Sequence, residues 1–168
     1  VLLIDADCRR PRVHRIFGLS ERVGLSTVLV GGATLEEAVQ RPLGEDDEIV
    51  GGLHVLTAGP TPPNPAELLD SEAMRNLLAQ AGKEFDRVIL DTPPVLFVAD
   101  ASIVGAMCDG VIVVVKSAHN TRSLARRARE QLEGVNARIL GGVLNDVRVA
   151  RLGYHYSAYY KDGYSRYY

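Results

Sequence analysis

The sequence has few of the residues that mark secreted, membrane-spanning or nucleic-acid-binding proteins. Of its 168 residues, two are cysteine and none is tryptophan. Two cysteines cannot build a disulfide framework, so a reducing compartment is expected. The longest unbroken aliphatic run, Val111 to Val115, is about a quarter of the length that a membrane-spanning helix needs. The net charge of −2 offers no global basic field to a nucleic acid. These absences leave one soluble globular domain, expected in the cytoplasm.

The chain opens inside an apolar run, Val1-Leu2-Leu3-Ile4, and its first residue is not an initiator methionine. A protein rarely begins in the middle of a buried strand, and the chain does not open with a basic stretch followed by an apolar leader. We therefore expect the chain to be a fragment whose N-terminal portion is missing.

Short apolar runs alternate with longer stretches of helical period. The predicted strands, rich in Val, Ile and Leu without polar alternation, are 1–5, 53–57, 87–91, 110–115 and 138–144. The predicted helices are 34–40, 64–69, 71–81, 100–107 and 121–133. Continuously apolar strands are typical of a parallel sheet that is covered on both faces. The alternation predicts a doubly wound, mostly parallel α/β domain with right-handed crossovers.

Acidic side chains follow two of the predicted strands directly. Asp5 and Asp7 follow the first strand in the segment VLLIDADCRRP, and Asp91 ends the third in the segment VILDTPP. Ligands of open parallel sheets bind beyond the carboxyl ends of the strands, where hard oxygen ligands suit Mg²⁺–nucleotide chemistry. A single aspartate at a strand end is more often a turn residue or helix cap. Two such strands together are more specific, and they predict a magnesium–nucleotide site.

These motifs resemble those of the bacterial protein-tyrosine kinases. The segment IDADCR at 4–9 is similar to the second Walker-type motif of that family, often called Walker A′, and 88–91 is similar to its Walker B strand. The segments GLSTVL at 24–29 and GPTPPNPAELL at 59–69 also resemble family segments. The resemblance runs from Val1 to about Asp146. It implies the fold of the deviant-Walker P-loop NTPases, which include the cell-division and plasmid-partition ATPases.

One family motif is absent from the sequence. The chain has three lysines, Lys83, Lys116 and Lys161, and none of them completes the P-loop pattern G-x-x-x-x-G-K-[ST]. Backbone N–H groups of that loop cradle the phosphates, and its Lys meets the β- and γ-phosphates. In the family the loop lies about one helix upstream of the Asp-x-Asp strand. We therefore expect it, with the first strand of the sheet, in the missing N-terminal part, and no useful ATP affinity from this fragment alone.

The resemblance implies ATP and Mg²⁺ as cofactors and assigns roles to five residues. Asp5 and Asp91 would hold Mg²⁺, with Asp91 acting directly or through water. Asp5, Asp7 and Asp91 form the catalytic set, and Asp5 or Asp7 would accept the proton of the incoming tyrosine. Arg9 would reach a phosphate. Asn145, at the end of the last predicted strand, would contact adenine, although a simple turn role is equally open for it.

All the tyrosines of the chain lie at its C-terminal end. They are Tyr154, Tyr156, Tyr159, Tyr160, Tyr164, Tyr167 and Tyr168. Four of them keep a spacing of four residues, so an aromatic stripe on a packed helix is one alternative, and an RNA-stacking tail is another. The absence of Leu, Ile and Val after Leu152 disfavours a packed helix. The resemblance implies that 1–150 is the C-terminal part of a kinase domain and 151–168 a mobile tail of phospho-acceptors.

A basic stretch lies near the last predicted helix. It comprises Lys116, Arg122, Arg126, Arg127 and Arg129. On a helix, Arg122, Arg126 and Arg129 share one face. A solvated face is the plainest interpretation, and a contact to phosphate, to a partner chain or to lipid head groups stays open.

The function indicated by the sequence is ATP-dependent protein-tyrosine kinase activity with autophosphorylation of the tail. The resemblance implies a homo-oligomer that phosphorylates in trans, a membrane-embedded chain-length regulator of capsular or extracellular polysaccharide export, an opposing tyrosine phosphatase and no nucleic-acid partner. It places the protein at the inner face of the cell membrane, through that regulator or an upstream fused domain. A partition or septum-site ATPase, whose output is dimerisation, is one alternative. A non-catalytic regulatory module is the other.

Overall fold

The computed structural model describes residues 1–44, 51–117 and 122–147, which form five strands and seven helices. In chain order these are β1 (Leu2–Asp5), α1 (Val13–Ile16), α2 (Leu25–Leu29), α3 (Leu35–Ala38), β2 (His54–Leu56), α4 (Pro65–Leu69), α5 (Glu72–Glu84), β3 (Val88–Asp91), α6 (Asp100–Met107), β4 (Val111–Lys116), α7 (Arg122–Gly134) and β5 (Ile139–Asn145). The predicted α/β alternation is confirmed.

Every strand pairing within a named sheet is parallel. β1 lies in the centre of a three-stranded sheet of order β2-β1-β3, in which Leu3 pairs with Val55 on one side and Ile89 on the other. β4 and β5 form a second, two-stranded sheet. In the described ranges no backbone hydrogen bond joins β3 to β4, so the predicted single sheet is present as two pieces.

The core lies around β1 and the helices that follow β2. Leu2 and Ile4 of β1 have no exposed surface, and neither has Leu56 of β2. The inward stripe of α5, which includes Met74 and Leu77, packs against them in the same apolar cluster. Burial of apolar side chains on both sides of β1 holds the carboxyl end of that strand rigidly in place.

The prediction that the strands are covered on both faces is wrong for β3, β4 and β5. Side chains along β3 and β4 alternate between half-buried and exposed, and all those of β5 after Ile139 are exposed. Ile89 is 54% exposed, Ile112 60% and Val114 63%. The described residues place no element over this outward apolar face, whereas β1 and β2 are covered as expected.

Two short helices were not predicted from the sequence, and both are held by tertiary contacts. α2 begins where the backbone amides of Leu25 and Ser26 donate to the carbonyls of Thr57 and Ala58, at 2.7 and 2.9 Å. A Cβ on Gly24 would collide with the Thr57 carbonyl oxygen. The close approach of two backbone segments therefore requires glycine at this position and fixes α2 beside the end of β2.

In the described part of the chain, no helix is both long enough and apolar enough to cross a bilayer.

Candidate active site

The site is built at the carboxyl ends of β1 and β3. Asp5 and Asp91 are register partners across the two parallel strands. The chain continues the pairing one step further, since the amide of Ala6 donates to the Asp91 carbonyl at 2.8 Å. Asp7 follows within two residues. The structure therefore brings Asp5, Asp7 and Asp91 together, as the strand-end motifs predict.

The Asp5 side chain is fully buried and shapes the loop that follows it. Its Oδ1 accepts from the amide of Asp7 at 3.1 Å. Its Oδ2 accepts from the amides of Arg12 and Val13, at 3.2 and 3.1 Å. Those two amides open α1, so one carboxylate both closes the turn after β1 and satisfies free N–H groups at the start of a helix.

Asp7 stabilises the next turn while remaining partly open to solvent. Its Oδ1 accepts from the amides of Arg9 and Arg10, at 3.1 and 2.9 Å. Asp7 therefore lies at the mouth of the site, whereas Asp5 lies at its floor.

The two strand-end carboxylates carry an electrostatic penalty. Burial raises the pKa of Asp5 above its ordinary value, and the charge of Asp91 raises it further, while the three amides partly offset both effects. Loss of hydration also raises the pKa of Asp91, and the negative charge of Asp7 adds to it. Carboxylates that repel one another in a partly dry site favour a bound cation, because a cation restores the lost electrostatic stabilisation.

The carboxylates of Asp5 and Asp91 suit Mg²⁺ and would supply only part of its coordination sphere. Among the described residues, no group of three or more His, Cys, Asp or Glu side chains is arranged to hold a metal ion. Mg²⁺ is commonly bound through one or two carboxylates, with water and substrate phosphates completing the octahedron. Asp5 and Asp91 meet that requirement.

Arg9 forms a bidentate ion pair across the molecule. Its Nε donates to Asp100 Oδ2 at 2.7 Å and its Nη2 to Asp100 Oδ1 at 2.9 Å. Asp100 is fully buried at the start of α6, while Arg9 is partly exposed. The guanidinium thus fixes the loop after β1 to α6. Its expected contact with a phosphate stays a prediction.

Asp100 is the site residue that sequence reasoning missed. It lies 91 residues from its partner, and nothing in the local pattern at the start of a helix distinguishes it from an ordinary N-terminal acid. Only the fold brings the two side chains together.

Cys8 lies in the loop after β1, between Asp7 and Arg9, and is not a reactive thiol. Burial raises the pKa of its thiol to about 12, and the charges of Asp5, Asp100 and Asp7 contribute. A nucleophilic cysteine needs a thiolate at neutral pH. Cys8 therefore acts as a small buried side chain.

Asn145 lies at the carboxyl end of the second sheet. It is the register partner of Lys116, and its side-chain Oδ1 accepts from the amide of Asp146 at 2.8 Å. This is the turn role left open by the sequence, and the adenine contact stays a prediction. The tyrosines at 154–168 lie outside the described residues.

Comparison with known proteins identifies the family of the chain. The putative tyrosine-protein kinase CapB of Staphylococcus aureus is 32% identical over 161 residues, which are 96% of this chain and 68% of that protein. The chain belongs to the bacterial protein-tyrosine kinase family. The tyrosine-protein kinase YwqD of Bacillus subtilis is 43% identical over 151 residues, 90% of this chain. No family model matches the chain.

The fold agrees with this kinase family. The kinase domain of the Escherichia coli tyrosine kinase ETK matches 87% of this chain with a TM-score of 0.80 and 39% identity. The architecture is therefore the α/β fold of P-loop NTPase type. The chain spans 61% of YwqD and 55% of the ETK kinase domain.

Proposed function

We propose that the protein containing this chain is an ATP- and Mg²⁺-dependent protein-tyrosine kinase and that the tyrosines at 154–168 are its acceptors. The observation that carries the proposal is the meeting of Asp5, Asp7 and Asp91 at the carboxyl ends of two adjacent parallel strands. This is where open parallel sheets bind nucleotides, and family membership supports the same chemistry.

The carboxylates take different roles in this proposal because their surroundings differ. Asp5 and Asp91 hold Mg²⁺, since they are register partners and since burial, followed by a neighbouring negative charge, raises the pKa of each. Mg²⁺, when bound, supplies positive charge against the phosphate oxygens of ATP. The phosphate-binding loop is absent from these residues, and we expect the complete reading frame to encode it.

Asp7 is the residue that orients the acceptor. It is the more open of the two carboxylates after β1, and one of its oxygens is fixed by backbone amides. Tyrosine has a pKa near 10 and aspartate near 3.9, so complete proton transfer before attack would cost about 8 kcal/mol. The loose transition state of phosphoryl transfer needs little ionisation of the nucleophile. Asp7 therefore positions the hydroxyl and takes its proton late.

In this proposal the tyrosine tail of one copy is phosphorylated in the active site of a neighbouring copy. Before modification the tail carries Arg151, Lys161 and Arg166 against Asp162, or +3 − 1 = +2, which suits an acidic site. Three phosphates would change this to about −4 and repel the tail from the same site. Phosphorylation would then weaken a homo-oligomer that is held together partly by the binding of each tail in the active site of a neighbouring copy.

The cellular role follows from the family resemblance. We propose that the kinase acts with a membrane-embedded chain-length regulator at the inner face of the membrane and controls export of capsular or extracellular polysaccharide. A tyrosine phosphatase would reset the cycle. The polymer itself is left open by these residues.

The test uses protein expressed from the complete reading frame. After incubation with Mg²⁺–ATP, mass spectrometry should find phosphate on tyrosines within 154–168. Asp91→Asn should lower the rate at least about 100-fold, because positioning and charge stabilisation supply most of the acceleration. Asp86→Asn is the matched control, an exposed acid just before the opposite end of β3.

Three outcomes count against the proposal. ATP hydrolysis without phosphotyrosine would favour the partition-type ATPase. The absence of both ATP hydrolysis and phosphotyrosine would favour a non-catalytic regulatory module. Unchanged phosphorylation in Asp91→Asn would mean that the metal is held elsewhere.

A further inference from the structure

The outward face of α7 is an arginine surface with no assigned role. Ala128 and Leu132 are the buried residues of this helix. Gln131, beside them, donates to the Val95 carbonyl at 2.8 Å and to Ser102 Oγ at 3.1 Å. At 100° per residue, Arg122, Arg126 and Arg129 lie within about 60° of one another, and their mean direction is about 110° around the helix from that of Ala128 and Leu132. We call these three residues the arginine face.

Two glutamates of the same helix, Glu130 and Glu133, offset part of the charge on this face. Arg129 contacts Glu133 at 3.4 Å, an exposed pair of residues one turn apart. Within the described ranges, neither Arg122 nor Arg126 has an acidic partner, and both are exposed. Exposed guanidinium groups with free donors are suited to planar, bidentate recognition of phosphate oxygens.

The topology brings the arginine face close to the start of the tyrosine tail. β4 and β5 are parallel, and Lys116 pairs with Asn145 at their carboxyl ends. α7 begins shortly after β4, so its first turn lies at the edge of the sheet where β5 ends. Tyr154 follows Asn145 by nine residues, which can span about 30 Å when extended. The thirteen residues of α7 are about 20 Å long, so the tail can reach the whole helix.

The positive charge of the arginine face attracts the phosphorylated tail and not the unmodified one. The unmodified segment carries +2 and is repelled by an arginine surface, whereas three phosphates bring it to about −4. We propose that the arginine face binds the phosphorylated tyrosine tail of the same chain. The ligand class is phosphotyrosine in a flexible peptide, and the proposal rests on the proposed tyrosine phosphorylation of the tail.

The consequence is a second position for the tail. The acidic site at Asp5, Asp7 and Asp91 attracts the basic unmodified segment, and the arginine face attracts the phosphorylated one. Phosphorylation moves the tail from a neighbour's active site to its own helix α7, so the product is removed from the site that made it.

Binding is tested with a synthetic peptide of residues 154–168 phosphorylated at Tyr156, Tyr160 and Tyr164. The protein comes from the complete reading frame, is treated with phosphatase and is kept without ATP. Binding of the unphosphorylated form, which is attracted to the acidic site, should not change when Arg122 and Arg126 are replaced. Fluorescence anisotropy should show binding of the phosphorylated peptide to the unaltered protein. Arg122→Gln with Arg126→Gln should weaken binding at least about tenfold, and added salt should weaken it further.

The control is Arg87→Gln with Arg138→Gln, which removes the same charge at the opposite ends of β3 and β5. Equal weakening by both double variants would overturn the proposal in favour of general charge attraction. Absence of phosphopeptide binding would also overturn it. If phosphatidylglycerol vesicles bind through the arginine face and the phosphopeptide does not, the occupant is a lipid surface instead.

A semisynthetic protein that carries the three phosphotyrosines distinguishes the same chain from a second copy. Its tail should resist phosphatase, and Arg122→Gln with Arg126→Gln should remove the resistance. Its mass in solution, at a concentration low enough to dissociate the oligomer, should be that of a monomer. A doubled mass would assign the tail to a second copy and overturn the proposal. Because the phosphates are supplied by synthesis, failure here is distinct from absence of kinase activity.

Discussion

Asp5 serves both the fold and the chemistry of the site. Its two oxygens accept hydrogen bonds from three backbone amides, and its neighbour across the strands is Asp91, whose negative charge helps to raise the pKa of Asp5. A residue with both roles is a poor target for a clean functional test, because its replacement also releases the start of α1. Asp91, which is exposed and caps no helix, is the better probe of the metal.

The pKa shifts predict opposite pH effects with and without Mg²⁺. Asp5 and Asp91 have pKa values raised above 3.8 in the folded protein. Without metal, their destabilising effect should therefore decrease as pH falls through the raised pKa values towards 3.8, since the folded state takes up protons before the unfolded state does. Bound Mg²⁺ requires both groups ionised, so the Mg²⁺-dependent stabilisation should decline over the same range.

Thermal denaturation of the complete protein at several pH values measures both effects. At neutral pH, a Mg²⁺ concentration ten times the dissociation constant should stabilise the protein by about 1.4 kcal/mol. Asp91→Asn should remove this gain and Asp86→Asn should keep it. A gain that stays constant as pH falls from 7 to 3.8 would contradict the assignment of Asp5 and Asp91 as ligands.

At the scale of elements, the ion pair between Arg9 and Asp100 joins the loop after β1 to α6. Arg9→Gln should lower the urea midpoint more than Arg75→Gln, which breaks an exposed pair with Asp70. The reason is that the Asp100 carboxylate would stay buried without its partner. Adding Asp100→Asn to Arg9→Gln should recover part of the loss.

The same measurement tests the expected phosphate role of Arg9. If Arg9→Gln leaves the urea midpoint unchanged but weakens nucleotide binding in the complete protein, the guanidinium acts on phosphate and the pair with Asp100 is incidental. A lower urea midpoint with unchanged nucleotide affinity would mean that Arg9 stabilises the fold and does not contact phosphate.

The elements that sequence predicts well are those specified by local pattern. All five predicted strands and all five predicted helices, which are α3 to α7, lie within a few residues of their predicted bounds. Thr34 caps the N-terminus of α3. Its hydroxyl accepts from the Glu37 amide at 3.3 Å while the Glu37 carboxylate accepts from the Thr34 amide at 2.8 Å. This reciprocal cap is readable from the spacing of two residues.

The features that could not be predicted depend on contacts distant in sequence. α1 starts at amides bound by Asp5, and α2 starts at carbonyls beyond β2. Neither helix has a local pattern that distinguishes it from a turn. The convergence of Asp5 and Asp91 was predictable because parallel neighbouring strands end at the same edge, whereas Asp100 required the position of α6.

At the scale of the whole molecule, the absent phosphate-binding loop predicts the behaviour of the 168-residue chain with nucleotide. Carboxylates alone hold a metal but do not cradle phosphates, so calorimetry should detect no specific binding of Mg²⁺–ATP to this chain. The protein from the complete reading frame is the positive control. Submicromolar binding by the 168-residue chain would reveal a different phosphate site.

The outward apolar faces of β3, β4 and β5 have a consequence for handling the chain in solution. Leu140 is 60% exposed and Leu144 59%, beside strands whose outer edges carry backbone groups with no partner in the described ranges. Unpaired edges next to uncovered apolar surface promote strand addition between molecules. Prepared as these 168 residues alone, the chain should bind hydrophobic dyes and aggregate as its concentration increases.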